Sequence, residues 1–155
     1  MKALAFILVL LLLPGASAWA TPAWATPAEA LLQQINAYRE SRGLAALEPS
    51  PRLEAAAARH NADMAAEGYF AHTSPQGTGL RDRLEAQGYA FRFAAENLAG
   101  GQKTPAEVLR DWQDSPGHDA NLLAADATHA GIAFLRNPGG RPSPRLWTLV
   151  VARPR

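Results

Sequence analysis

The chain contains no cysteine, and that one absence excludes disulfides, zinc-thiolate sites, a thiol nucleophile and a lipid-modified N-terminal cysteine. Packing and hydrogen bonds alone must hold the fold. An excess of charge is also missing: 15 Lys and Arg face 14 Asp and Glu, so no basic surplus marks a nucleic-acid partner. No apolar run reaches the roughly 20 residues of a membrane-spanning helix. The longest, Ala3 to Leu13, follows Lys2, breaks at Pro14-Gly15 and passes into the small residues ASAWA. That order predicts a secretory signal peptide over residues 1–20, with Ala18 and Ala25 as alternative cleavage points to Ala20. The expectation is a secreted or periplasmic chain with no stable membrane anchor.

Several catalytic signatures are absent too. There is no HExxH helix, no GxxxxGK phosphate loop around Gly101-Gln102-Lys103, and no GxSxG elbow around Ser115. Residues 18–27 read AWATP twice, too few copies for a repeat architecture. Residues 21–26 are read as a linker, and residues 27–155 are long enough for one core but not for two domains.

Thr26-Pro27-Ala28-Glu29 has an N-cap Thr, a Pro at the first helical position and a Glu at N3, which predicts a helix start. Leu31, Leu32, Ile35 and Tyr38 give that helix its apolar face, and Gly43 stops it. Ser50-Pro51 opens a second helix, where Leu53, Ala56, Ala57, His60 and Met64 recur at spacings of three and four, so His60 points inward. Gly68 ends it, a turn-rich loop YFAHTSPQGTG follows, and Leu80 to Gln87 forms a short third helix. Tyr89, Phe91 and Phe93 alternate as a strand leading to Glu96, before a turn at Gly100-Gly101. Thr104-Pro105-Ala106-Glu107 repeats the capping box for a fourth helix with Val108, Leu109 and Trp112 buried, ended by Pro116-Gly117. Ile132 and Phe134, then Trp147, Leu149 and Val151, alternate on either side of NPGGRPSP as an antiparallel hairpin. Helices first and strands interspersed and last predict an α+β domain with helices on a small antiparallel sheet.

Glu96, in the small and apolar run AAENLAGG, needs a compensating partner if buried. Backbone N–H groups of the Gly100-Gly101 turn are one candidate. Asn97 reads as a turn-former. His60 is either a core histidine with one hydrogen bond or a ligand, and His118, after Pro116-Gly117, is either a turn histidine or a second nitrogen donor. Two histidines and a carboxylate would make a zinc shell with one open position, although their spacing is non-local. His72 is read as bonding its own loop and His129 as a surface residue.

The ordered set ARHNADMA, YFAHTSP, AENLAGG, VLRDWQDSPGHDANLL, GIAF and a terminal Trp strand resembles the CAP superfamily. It is most similar to that family's bacterial SCP-like extracellular proteins, which are related to cysteine-rich secretory proteins, antigen 5 and pathogenesis-related proteins. The resemblance runs from about Pro27 to Ala152 and implies a three-layer α-β-α sandwich. It also implies a central cavity with two His and two acidic residues, which in some members binds zinc or another divalent cation. By that resemblance His60, Glu96 and His118 are the metal ligands, with His72, Ser115 and Asn97 lining the cleft. The fourth ligand position, three residues after Trp112, is Ser115 here. Asp114 is about 100 degrees around the helix from it.

Three functions follow as expectations. One is an exported binding module whose cleft takes a metal, a lipid, another small molecule or a cell-envelope component without turnover. Another is a metal-assisted hydrolase in which His60 and His118 hold a cation and Glu96 is the general base. The last is a buried His/Glu network with a structural role only.

Overall fold

The structure, a computed structural model, describes residues 25–155. The expected signal peptide over 1–20 and residues 21–24 of the linker lie outside the described residues. Helix α1, Pro27–Ser41, starts as its sequence predicts: the Thr26 hydroxyl accepts from Glu29 N–H while the Glu29 carboxylate accepts from Thr26 N–H. Leu31 and Ile35 are fully buried on its inner face. Arg39, in the last turn of α1, is buried with them and donates to the carbonyls of Ala45, Leu122 and Ala124.

Strand β1 is two residues long, Glu48–Pro49, and leads into α2, Pro51–Glu67. The inward stripe of α2 holds Leu53, Ala56, Ala57, His60, Asn61 and Met64. Gly68 ends it in the left-handed conformation, φ 70°. Helix α3 spans Leu80–Ala86 and β2 spans Phe91–Gly100, so Glu96 lies inside a strand and not in the turn that follows. Helix α4 is Pro105–Gln113. Its cap is half of the expected box: the Thr104 hydroxyl accepts from Glu107 N–H, but the Glu107 carboxylate takes the N–H of Lys103.

Pro116-Gly117 was expected to end α4 in a turn. Instead Pro116 is the first residue of a further helix, α5, Pro116–Leu122. Proline at N1 lacks only an N–H that a helix start leaves unused. His118 is therefore a first-turn helical residue.

Strands β3, His129–Arg136, and β4, Arg145–Pro154, complete a four-stranded sheet in the order β1-β3-β4-β2. The expected hairpin is β3-β4, and β2 joins the other edge of β4 antiparallel. The sheet is mixed, because β1 pairs parallel with β3; two residues without alternation left no strand signal in the sequence.

Alternation along β4 separates the layers. Trp147, Leu149 and Val151 face α1, α4 and α5, where Ile35, Val108, Trp112 and Leu122 meet them. Val150 and Ala152 face α2 and α3 through Leu53, Ala56, Ala57 and Leu84. The result is the α-β-α sandwich. Alanines on α2 let its backbone come close to the sheet, and Gly131 on β3 completes the approach. A Cβ on Gly131 would lie 2.2 Å from Glu54 N and 2.3 Å from the Leu53 carbonyl carbon. Asn61 pins the same seam, donating to the Ala133 carbonyl and accepting from the Thr148 hydroxyl. This seat fixes where His60 stands relative to the sheet.

Gly131→Ala should therefore displace α2 and cost ~3 kcal/mol, at the upper end for overpacking. The measurement is the urea midpoint, which should fall with little change in slope; an unchanged midpoint would show that α2 is not seated this closely.

Candidate functional site

The buried polar centre forms around Glu96, whose side chain is 3% exposed. Period-two alternation sends Glu96 to the α2/α3 face of the sheet while Asn97 points to the α5 face. One carboxylate oxygen, Oε2, accepts from Arg83 Nη2 at 2.7 Å; the other, Oε1, lies 2.9 Å from His72 Nδ1. These two side chains satisfy the carboxylate in place of the expected Gly100-Gly101 backbone. Arg83 Nη1 also donates to the carbonyls of His72 and Thr78. One guanidinium thus holds the loop between α2 and α3 against β2.

Arg83 was not singled out from the sequence, although the signal was there. Leu80, Arg83 and Leu84 recur at three and four, so Arg83 shares the inward face of α3 with two leucines. His72 does more than the expected bonding within its own loop: its ring meets Glu96 while its side chain stays 58% exposed.

His60 is almost fully buried. Its Nε2 lies 3.0 Å from the Ala71 carbonyl, an acceptor, so Nε2 carries a proton and donates. The same nitrogen is 3.9 Å from Glu96 Oε1. On the other side, Nδ1 is 3.5 Å from the Tyr69 hydroxyl, which itself donates to Asp63. Burial pushes the His60 pKa below its ordinary value, against the attraction of Glu96. The hydrogen bond to Glu96 raises that of His72, against partial burial. His118 is lowered, first by desolvation and then by the nearby charge of His72. Tyr69 is raised, chiefly by burial and then by its bond to Asp63.

His60, His72 and Glu96 are thus brought together, and His118 stands within electrostatic reach of His72. The remaining candidates lie differently. Asn97 is no turn-former: it is fully buried in β2, donates to the His118 carbonyl and accepts from Asn121 Nδ2, so it fastens α5 to the sheet. Ser115 is the N-cap of α5 and makes no capping bond. Asp114 caps the C-terminus of α4. Trp112 is core, with its indole N–H on the Leu98 carbonyl. His129 is more than a surface residue, because its Nδ1 meets the Tyr89 hydroxyl at 2.8 Å.

A cleft of about 680 Å³ runs between α2 and α3, bordered by His60 and Arg83 and rimmed by Arg59, Asp63, Gln76 and Asp82. The expected cleft residues His72, Ser115 and Asn97 are not among its walls. The network around Glu96 therefore forms a wall behind the cleft.

This donor set does not fit a zinc shell. A ligating imidazole nitrogen must offer a lone pair, whereas His60 Nε2 spends its proton on Ala71. Both Glu96 oxygens are engaged, one of them by a guanidinium that would repel a cation. Among the described residues, no three or more His, Asp or Glu side chains are arranged to hold a metal ion.

The molecule is thus an α-β-α sandwich with a His/Glu/Arg centre beside the α2/α3 cleft. Residues 32–151 match the model of CAP, the cysteine-rich secretory protein family, and the chain belongs to that family. It is 35% identical over 107 residues to the Bacillus subtilis protein YkwD, covering 69% of this chain and 42% of that one. Over 106 residues it is 35% identical to the Bacillus subtilis membrane protein YlbC, covering 68% of this chain and 31% of that one. The chain thus spans less than half the length of these curated relatives. An extracellular protein containing an SCP domain from Bacillus anthracis superposes with a TM-score of 0.74 at 27% identity, over 82% of this chain and 40% of that one. An outer surface protein from Borrelia burgdorferi gives 0.74 at 22% identity, over 81% and 91%; at that identity the likeness is one of fold.

Two predictions test the centre. Arg83→Met strands a buried carboxylate and should cost about 3–5 kcal/mol, and adding Glu96→Met should recover most of it; denaturant unfolding of the single and double variants checks this. In a pH titration of the histidine ring resonances, His72 should titrate above 6.5 and His60 and His118 below it. By linkage, the His72 contribution to stability is present below 6.5 and lost as pH rises through its raised folded value. The His60 and His118 contributions are present above 6.5 and lost as pH falls through their lowered values. Glu96→Gln should bring His72 back down, and a His72 titration unmoved by that change would rule out the pairing.

Proposed function

We propose that this chain is an exported ligand-binding module whose cleft between α2 and α3 takes a small polar molecule and does not turn it over. The observation that carries this reading is the state of Glu96. A general base needs a free carboxylate oxygen facing its substrate, and both oxygens here are engaged, by Arg83 at 2.7 Å and His72 at 2.9 Å. Hydrolysis would require that wall to be taken apart first. The extracellular and outer-surface descriptions of the Bacillus anthracis and Borrelia proteins support a site of action outside the cytoplasm, as does the leader expected over residues 1–20.

The cleft's rim favours one ligand class among those expected. Arg59 and Arg83 alternate with Asp63 and Asp82, and Gln76, Ser74 and Thr78 supply amide and hydroxyl groups. A lipid tail would make no use of the exposed Arg59, Gln76 and Thr78. A zwitterionic or hydroxyl-rich molecule, such as a peptide-bearing fragment of cell-envelope polymer, would satisfy them.

The test is titration of a soluble muropeptide mixture into isotope-labelled protein, with product analysis by mass spectrometry. Expected are saturable amide shifts at Gln76, Thr78 and Asp82, affinity about tenfold weaker in Asp82→Ala, and intact ligand after prolonged incubation. Cleavage of the ligand that zinc accelerates and Glu96→Gln abolishes would overturn the binding reading in favour of a metal-assisted hydrolase.

A further inference from the structure

A second cavity, about 530 Å³, opens at the N-terminal end of α2, and it shares no lining residue with the α2/α3 cleft. Ser50, Arg52, His129 and Arg155 line it, next to Tyr89. The pocket thus brings two guanidinium side chains together with no Asp or Glu side chain among its walls.

Each donor is held in place. Arg52 Nη1 donates to the Gly88 carbonyl at 3.1 Å, which anchors the guanidinium to the wall and leaves its other N–H groups free. Arg155 is anchored likewise, by Nε to the Phe91 carbonyl at 3.1 Å. Ser50 is 8% exposed and is the N-cap of α2, yet its hydroxyl makes no capping bond and no other bond among the described residues. The first-turn N–H groups of Arg52 and Leu53, which a capping side chain would occupy, are left open. A helix of 17 residues also brings the positive end of its dipole there.

The Tyr89 hydroxyl on His129 Nδ1 leaves Nε2 as that ring's outward nitrogen. The nearest acid, Glu48, is 3.7 Å from Nε2 and its side chain is 81% exposed. That is too long for a hydrogen bond, and the carboxylate is free to turn away into solvent.

We propose that this pocket binds a phosphate group carried on a small soluble molecule. A helix start, a hydroxyl without a partner on a largely buried serine and two anchored guanidinium forks line one pocket, and this set suits the several oxygens of a tetrahedral anion better than one planar carboxylate. The cavity also has room for an ester substituent. This site is independent of the α2/α3 cleft and stands whether or not that cleft binds envelope fragments.

The experiment is an NMR titration of the isotope-labelled chain with inorganic phosphate and, separately, glycerol 1-phosphate, at constant ionic strength. Saturable shifts at the Arg52 and Leu53 amides are expected, with affinity about tenfold weaker in Arg52→Gln. Ser50→Ala should weaken binding severalfold. Arg52 is exposed, so Arg52→Gln keeps the fold, and unchanged shifts elsewhere in the spectrum check this. Shifts that do not saturate, or that saturate identically in both variants, overturn the proposal. So does sedimentation with phosphatidylglycerol vesicles when neither small probe binds, because a charged membrane surface would then explain the arginines.

Discussion

The buried ion pair between Arg83 and Glu96 is the interaction on which the architecture of the site depends. A carboxylate on a central sheet face and a guanidinium on a short helix would each be strongly unfavourable alone. Together they join β2 to α3, and the remaining donors of Arg83 take the carbonyls of His72 and Thr78. Arg83 thereby ties two points of the loop that lines the cleft. His72 then occupies the other Glu96 oxygen, and His60 is left to satisfy Ala71 from below. Remove the pair and the loop loses its attachment to the sheet.

The opposite face of β2 shows the same logic with neutral groups. Asn97 bonds the His118 carbonyl and Asn121, and Asn121 returns a bond to the Glu96 carbonyl. Arg39, reaching from α1, takes the carbonyls at the end of α5. Helix α5 is only seven residues long, too short to be stable by itself, so these bonds and the burial of Leu122 are what fix it. Consecutive residues of one strand, Glu96 and Asn97, therefore build the two sides of the molecule.

Membership of the family and the chemistry of the centre are separate matters. His60, His72 and Glu96 meet at one centre, where Arg83 and the Ala71 carbonyl engage the glutamate and the His60 ring. Helix α2 serves both proposed sites: its middle walls one cleft with His60 and Asp63, and its uncapped start faces the other pocket.

Much of the fold was legible in the chain itself. The Thr26 and Thr104 caps, the inward stripe of α2 and the alternation of Trp147, Leu149 and Val151 are local signals, because capping and periodicity depend only on neighbours in sequence. The inward direction of His60 followed from the same rule. Other features depended on contacts distant in sequence. Pro116-Gly117 reads equally well as the end of one helix or the start of the next, and the bonds between Asn97 and α5 decide for the start. Strand β1 exists only because β3 lies beside it. The partners of Glu96 come from residues 72 and 83, and no spacing rule links those positions to 96. The sequence determined which residues face inward and where helices begin; the tertiary structure alone decided which buried charges meet, because ion pairing acts through space and leaves no period along the chain.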